Sequence, residues 1–194
     1  MIYGILLAAG LGRRISTPKA LLTLEGQTFH ERGLSAFKAT GLEVVVVVNH
    51  AVEEVLPTAQ EGEHRTLNPN PDETGMFGSV RLGLNLALLK GGTGAILLPV
   101  DHPLVTSADI GALHAALVEG AALVIAEHAN KEGHPIGLGH ALMVEATSDP
   151  SLSTLRDLTR RHGARAAHVP VSAGAFEGVN TKEDLERVSN RTFR

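Results

Sequence analysis

The sequence predicts an α/β fold: one three-layer domain over residues 1–194 with a mainly parallel sheet. Three observations carry that expectation. Strand-like runs alternate with helical patterns along the chain, as a parallel sheet with crossover helices requires. Two of the runs, Val44 to Val48 and Ala95 to Val100, are apolar without polar alternation, the mark of strands covered on both faces. No linker, internal repeat or low-complexity tract interrupts the pattern, and 194 residues suffice for one sizeable core.

The elements follow in order. The apolar run Ile2 to Ala9 reads as the first strand and ends in the glycine turn Gly10–Gly12. A helical pattern over Phe29 to Ala39 leads to the strand Glu43 to Val48, then come helical patterns over Ala51 to Ala59 and Gly78 to Leu89. The strand Ala95 to Val100 precedes a helix over Ser107 to Glu119, and Ala122 to Ala126 and Ile136 to Leu138 read as further strands. Helices are expected over His140 to Ala146, Ser153 to Arg161 and Lys182 to Ser189. Thr181 before Glu183 and Asp184 has the character of a helix cap with acids in the first turn.

Composition excludes several function classes. Seventeen basic and 21 acidic side chains give a net charge of −4, and Arg160, Arg161 and Arg165 are too few to build a nucleic-acid stripe. There is no cysteine, so disulfides and thiolate metal sites are ruled out. The first apolar run is short and has no basic region before it, so the expectation is a cytoplasmic protein with no membrane span.

The first turn carries the chemistry. It delivers Arg13, Arg14 and Lys19 into one loop beside Gly10 and Gly12. Glycines let backbone N–H groups approach phosphate oxygens, and the cations neutralise charge, so the loop suits a polyphosphate. A dinucleotide-binding turn would need a third glycine where Ile15 stands, and an acid at the end of the second strand, where Asn49 and His50 stand. A P-loop would need a glycine before its lysine, and Lys19 follows Pro18. A tight turn with surface arginines is the alternative to phosphate binding.

A second element is Leu97-Leu98-Pro99-Val100-Asp101-His102-Pro103, an apolar strand ending in a carboxylate. Ligands of open α/β sheets sit at that edge, where the first strand also ends, so Asp101 should face the phosphate loop. Mg²⁺ is held by one or two carboxylates together with phosphate oxygens, which makes Asp101 a metal-ligand candidate. The competing reading is a residue that only turns the chain before Pro103.

LAAGLGRRISTPKALLTLEG resembles the signature LAAGxGxRMGxxKxLLxLxG of the molybdenum-cofactor-transferase-like (MobA-like) NTP transferases, with Gly10, Gly12, Arg14 and Lys19 on its glycines, arginine and lysine and Ser16 in place of a glycine. The resemblance covers nearly the whole chain and implies a Rossmann-like, glycosyltransferase-A-like nucleotidyltransferase fold. LPVDHPLV is similar to the family segment PVDxP, whose aspartate, here Asp101, binds magnesium; His102 is given no role. The segment from Gly178 to Leu185 resembles D-x-[DN]-T-x-E-D, which puts Asn180 beside Asp101 as a weaker, uncharged metal ligand. The loop from Asn68 to Ser79 resembles a nucleotide-lining N-P…G-M-x-x-S segment, in which Asn68 or Asn70 joins Gly75 and Ser79; an ordinary helix-entry loop is the other reading. Gly133-His134-Pro135 resembles the G-H-P of the molybdenum cofactor cytidylyltransferase branch, near the acceptor.

The resemblance thus implies transfer of a nucleoside monophosphate from an NTP, with CTP favoured, to a phosphorylated acceptor such as molybdopterin, with Mg²⁺ and release of pyrophosphate. Leu7, Ala8, Ala9, Gly10, Leu11, Gly12, Arg13 and Lys19 would hold the nucleotide, and Arg14, Lys19 and Asp101 would act in catalysis. A molybdoenzyme or its maturation factor is implied as a further partner. The alternatives are a sugar- or alcohol-phosphate nucleotidyltransferase using another NTP, or a non-catalytic nucleotide sensor of the same fold.

Overall fold

A computed structural model describes residues 1–192 of the chain. Its central sheet takes β1 (Ile2–Leu7), β4 (Glu43–Val48), β5 (Glu63–Leu67), β6 (Gly94–Pro99), β7 (Leu123–His128), β8 (Lys131–Gly139) and β9 (Ala167–Pro170) in the order β5-β4-β1-β6-β8-β7-β9. A hairpin of β2 (Thr23–Leu24) and β3 (Gln27–Thr28) stands apart. β8 alone among the seven runs against the others: it is antiparallel to both β6 and β7, and the remaining pairs are parallel.

The continuous apolar runs do what their lack of alternation predicts. Successive residues of β1 and β4 enter opposite cores: Leu6, Ala8, Val44, Val46 and Val48 lie on one face, and Ile5, Leu7, Ala9, Val45 and Val47 on the other. The first face is covered by α1 (Phe29–Lys38), α4 (Ser107–Val118) and α7 (Lys182–Thr192), through Leu34, Phe37, Ile110, Leu113 and Val188. The second is covered by α3 (Pro71–Leu89), α5 (His140–Ser148) and α6 (Leu155–His162), through Leu84, Leu142 and Leu158. These are the three expected layers.

Several elements depart from expectation. The helix expected over residues 51–59 is one turn, α2 (His50–Glu53), because Pro57 cannot continue it. α3 starts at Pro71, not residue 78, and its first turn is set off from the rest by Gly75, whose φ of 61° and ψ of −171° are open essentially to glycine alone. β5 and β9 were not foreseen. β8 is three times the expected length and holds Pro135 in its interior, where His134 and Pro135 bulge out of the ladder opposite the Ile125–Ala126 step of β7.

α4 shows how the fold presents its site. Thr106 and Asp109 form a reciprocal capping box, and Asp109 also accepts from the backbone N and hydroxyl of Ser172, at 2.7 and 3.0 Å. It thereby ties α4 to the segment that leads to Asn180. Burial would raise the Asp109 pKa, but the donors of Ser172 and Thr106 outweigh it and hold it below the ordinary 3.8. A carboxylate depressed in the folded state stabilises fully above its unfolded pKa and loses that contribution as pH falls through the folded value. Asp109→Ala is therefore expected to cost about 2 kcal/mol in urea unfolding at pH 7, and less in acid. A cost that did not change between pH 7 and pH 3 would contradict this account.

Candidate active site

β1 and β6 are parallel, with Leu7 opposite Pro99, so both deliver their following loops to one edge of the sheet. The chain after β1 is pinned there: Ala8 N–H donates to Val47 O at 2.8 Å, and the buried Asn49 carboxamide donates to Ala9 O at 2.8 Å while accepting from Val52 N–H. Asn49 was read in the sequence only as the absence of an acid; it is the clamp on the glycine turn. Gly12 takes a φ of 60°, and a Cβ there would lie 1.8 Å from Thr17 O, so the loop closes only around glycine. Ser16 also takes a left-handed φ of 60°, which explains why glycine is the natural choice at that position.

This loop returns Lys19 over the sheet edge, where its Nζ donates to Asp101 Oδ2 and to Asn180 Oδ1, each at 2.7 Å. Three residues separated by up to 161 positions thus converge on one ammonium group. The backbone holds the two acceptor segments together, since Val179 N–H donates to Asp101 O at 2.8 Å. Asp101 does not cap the turn before Pro103; its carboxylate bonds Lys19 and faces His102 Nε2 at 3.9 Å. Among the described residues no three His, Cys, Asp or Glu side chains form a metal cluster. The oxygens of Asp101 and Asn180 nevertheless already coordinate a cation, the lysine ammonium, and hard oxygen donors suit Mg²⁺ or Mn²⁺.

A cleft of about 200 Å³ opens beside this triad, bounded by Leu7, Ala9, Gly10, Lys19, Pro71, Gly75, Met76, Ser79, Pro99, Val100 and Asp101. The expected nucleotide residues divide around it. Leu7, Ala9, Gly10, Lys19, Gly75 and Ser79 line it, and Leu11 and Asn70 face a neighbouring hollow with Asn49 and Asp72. Ala8 is buried behind the loop. Asn68 is wholly buried, and its carboxamide is committed to Thr74, Ser79 and the Asn70 N–H, so it shapes the loop that presents Ser79. Asn70 is exposed. Arg13 forms an ion pair with Asp72, a partner the sequence did not indicate. Arg14 is exposed on the turn, and its side chain is not part of the Lys19–Asp101–Asn180 cluster.

A second cleft, of about 260 Å³, shares Met76 with the first and is lined by Gly133, His134, Ile136 and Glu132 with Arg156 and Thr159 of α6. Pro135 is buried beneath it. His134 Nδ1 is enclosed without a hydrogen-bond partner, and burial, reinforced by the neighbouring His102, pushes its pKa down to about 4. Its ring lies 5.5 Å from that of His102, centroid to centroid, and His102 in turn stands beside Asp101. Met76, His102 and Arg156 were not assigned from sequence. Met76 and His102 lie inside the G-M-x-x-S and LPVDHPLV segments and Arg156 in an expected helix, but the place of Met76 and Arg156 at the clefts, and of His102 beside Asp101, comes from tertiary structure.

Comparison with known proteins gives the context for this geometry. The MobA-like NTP transferase domain model matches residues 4–168. The bifunctional protein GlmU of Xanthobacter autotrophicus is 30% identical over 196 residues, covering 96% of this chain and 41% of its own length, so this chain spans well under half of that relative. The molybdenum cofactor guanylyltransferase of Sinorhizobium fredii is 25% identical over 194 residues, covering 94% of this chain and 88% of its own. Among solved structures, Rv0371c from Mycobacterium tuberculosis in complex with manganese superposes with a TM-score of 0.77 at 22% identity, covering 97% of each chain, a likeness of fold. Among the described residues no helix is long and apolar enough to cross a membrane.

Proposed function

The chain belongs to the MobA-like NTP transferase domain family and is a nucleotidyltransferase, and on that premise we propose that it transfers CMP from CTP to a small phosphorylated acceptor such as molybdopterin. The observation that carries the reading is the Lys19 ammonium held between Asp101 and Asn180 at the mouth of the glycine-turn cleft. A site that seats a cation between a carboxylate and a carboxamide, next to backbone amides, is built for phosphate with a counter-ion.

Asp101 and Asn180 would hold a divalent cation, Mg²⁺ or the Mn²⁺ named with the mycobacterial structure. When bound, that ion supplies charge neutralisation on the phosphate oxygens. The chain's own groups do the rest. The turn from Leu7 to Gly12 cradles the nucleotide against Gly75 and Ser79, and Lys19 and Arg14 stabilise charge on the α-phosphoryl oxygens and the leaving group. An acceptor phosphate oxygen attacks the α-phosphorus, the bond from that phosphorus to the β-bridging oxygen breaks, and pyrophosphate leaves with the electron pair. An ionised phosphate needs no deprotonation, so no general base is required. The second cleft, lined by Gly133 and His134 with Pro135 buried next to them, suits the acceptor, with Arg156 available to an anionic group.

CTP is favoured by the Gly133-His134-Pro135 segment. GTP is the second reading, favoured by the guanylyltransferase name of a relative aligned over most of both chains. Bound ligand stabilises the folded state by mass action, so CTP with Mg²⁺ is expected to raise Tm more than GTP, ATP or UTP at equal concentration. A larger shift with GTP would replace the cytidylyl assignment and leave nucleotidyl transfer intact. The acceptor is identified by pyrophosphate release from the four NTPs against a panel of molybdopterin, sugar, alditol and alcohol phosphates. A molybdoenzyme or its maturation factor would then take the product, which co-purification with the loaded enzyme tests.

A further inference from the structure

We propose that His102 Nε2 is a third protein donor to the cation held by Asp101 and Asn180, and that this nitrogen fits the site for Mn²⁺ or a similar borderline ion better than for Mg²⁺. The inference rests on the reading of Asp101 and Asn180 as cation ligands given above. His102 is placed for the role by geometry on both sides of its ring. Its Nδ1 lies 2.8 Å from Ala175 O, and a carbonyl only accepts, so Nδ1 carries the proton and the lone pair of the neutral ring sits on Nε2. A backbone carbonyl on the far nitrogen is the usual means of orienting a metal-binding imidazole.

Nε2 is turned toward the carboxylate, 3.9 Å from Asp101 Oδ1, the oxygen that Lys19 leaves free. Donors sharing one octahedral ion at about 2.1 Å each stand roughly 3–4.2 Å apart, so this spacing admits a common ion without rebuilding the backbone. Asn180 shares the Lys19 ammonium with Asp101 through its Oδ1, and its Nδ2 faces Gly178. A Cβ placed on Gly178 would lie 3.6 Å from Asn180 Nδ2 and 3.7 Å from His102 Nε2, so the imidazole edge and the carboxamide flank the same glycine. The hydrogen bond from Val179 N–H to Asp101 O fixes the two segments relative to each other. The His134 ring lies 5.5 Å from the His102 ring, tilted by 60° to it.

Imidazole nitrogen suits borderline transition ions, whereas Mg²⁺ prefers oxygen and water. The expected preference is tested with Mn²⁺ alone, without nucleotide, by pulsed EPR on wild-type protein prepared with natural and with ¹⁵N-labelled histidine. Directly bonded histidine nitrogen should modulate the Mn²⁺ signal, the modulation should change with the isotope, and it should vanish in His102→Gln. The same variant should weaken Mn²⁺ binding about tenfold and Mg²⁺ binding, read by competition, less than threefold. Bound Mn²⁺ with no nitrogen modulation in wild type, but lost in Asp101→Ala, overturns the role of His102 and keeps the cation site. Modulation that persists in His102→Gln also overturns it. Mn²⁺ binding that is absent, or indifferent to Asp101→Ala, overturns the cation site and this inference together.

Discussion

Asp101→Ala is expected to abolish turnover at physiological Mg²⁺ and to leave the fold standing. The carboxylate is the charged oxygen donor that meets Lys19 where the turns after β1 and β6 come together, and the Asn180 oxygen on the same ammonium adds no charge. Removing it leaves the phosphate charge to be balanced by Lys19 and Arg14 alone, a loss of several kcal/mol in the transition state, about 10³-fold or more in rate. The structural cost should be small. Asp101 lies outside both apolar clusters, its side chain is 21% exposed, and the hydrogen bond from Val179 N–H goes to its backbone carbonyl, which alanine keeps. A partly exposed ion pair with Lys19 contributes about 1 kcal/mol or less, so Tm should move by no more than a few degrees. Steady-state pyrophosphate release and thermal melting of the same preparation decide the matter. A large fall in Tm with most of the activity retained would return Asp101 to the role of a turn residue.

The parts of this arrangement that were legible in the sequence are those encoded locally. Apolar runs without alternation gave strands buried on both faces, and parallel neighbours of that kind put the residues after Leu7 and after Pro99 at one edge, where Lys19 and Asp101 do meet. What was not legible depends on pairing between distant segments. β5 carries Glu63, His64 and Arg65 and reads as polar loop; it becomes a strand because Val44 to Val48 offer it a ladder at the sheet edge. β8 contains glycines and a proline that argue against a strand, and it forms because β6 and β7 bracket it. The shortening of α2 before Pro57 and the break at Gly75, by contrast, follow local rules: proline cannot continue a helix, and glycine is the residue at which one breaks. At the site, the choice between Asn68 and Asn70 was left open by spacing. Burial separates their roles, with Asn68 bound into its own loop and Asn70 facing solvent.

Lys19→Ala carries the second large effect, and its signature is a split between two kinetic quantities. The ammonium bonds both Asp101 and Asn180, so it competes for those oxygens with the cation proposed to bind there. In the proposed reaction Lys19 moves to the α-phosphoryl oxygens and the departing pyrophosphate, where charge develops. Alanine removes both functions. Loss of one preorganised charge-stabilising group should lower kcat roughly 10²-fold or more, with a smaller change in NTP affinity. Loss of the competing ammonium should at the same time lower the Mg²⁺ concentration needed for half-maximal Tm stabilisation or activity, because Asp101 no longer has to release a bonded cation first. A group that merely helped bind the triphosphate would raise KM with kcat intact, and a group that merely shielded Asp101 would shift the Mg²⁺ dependence with kcat intact. Equal kcat in variant and wild type at saturating Mg²⁺ would remove Lys19 from the chemistry, whatever happened to the metal dependence.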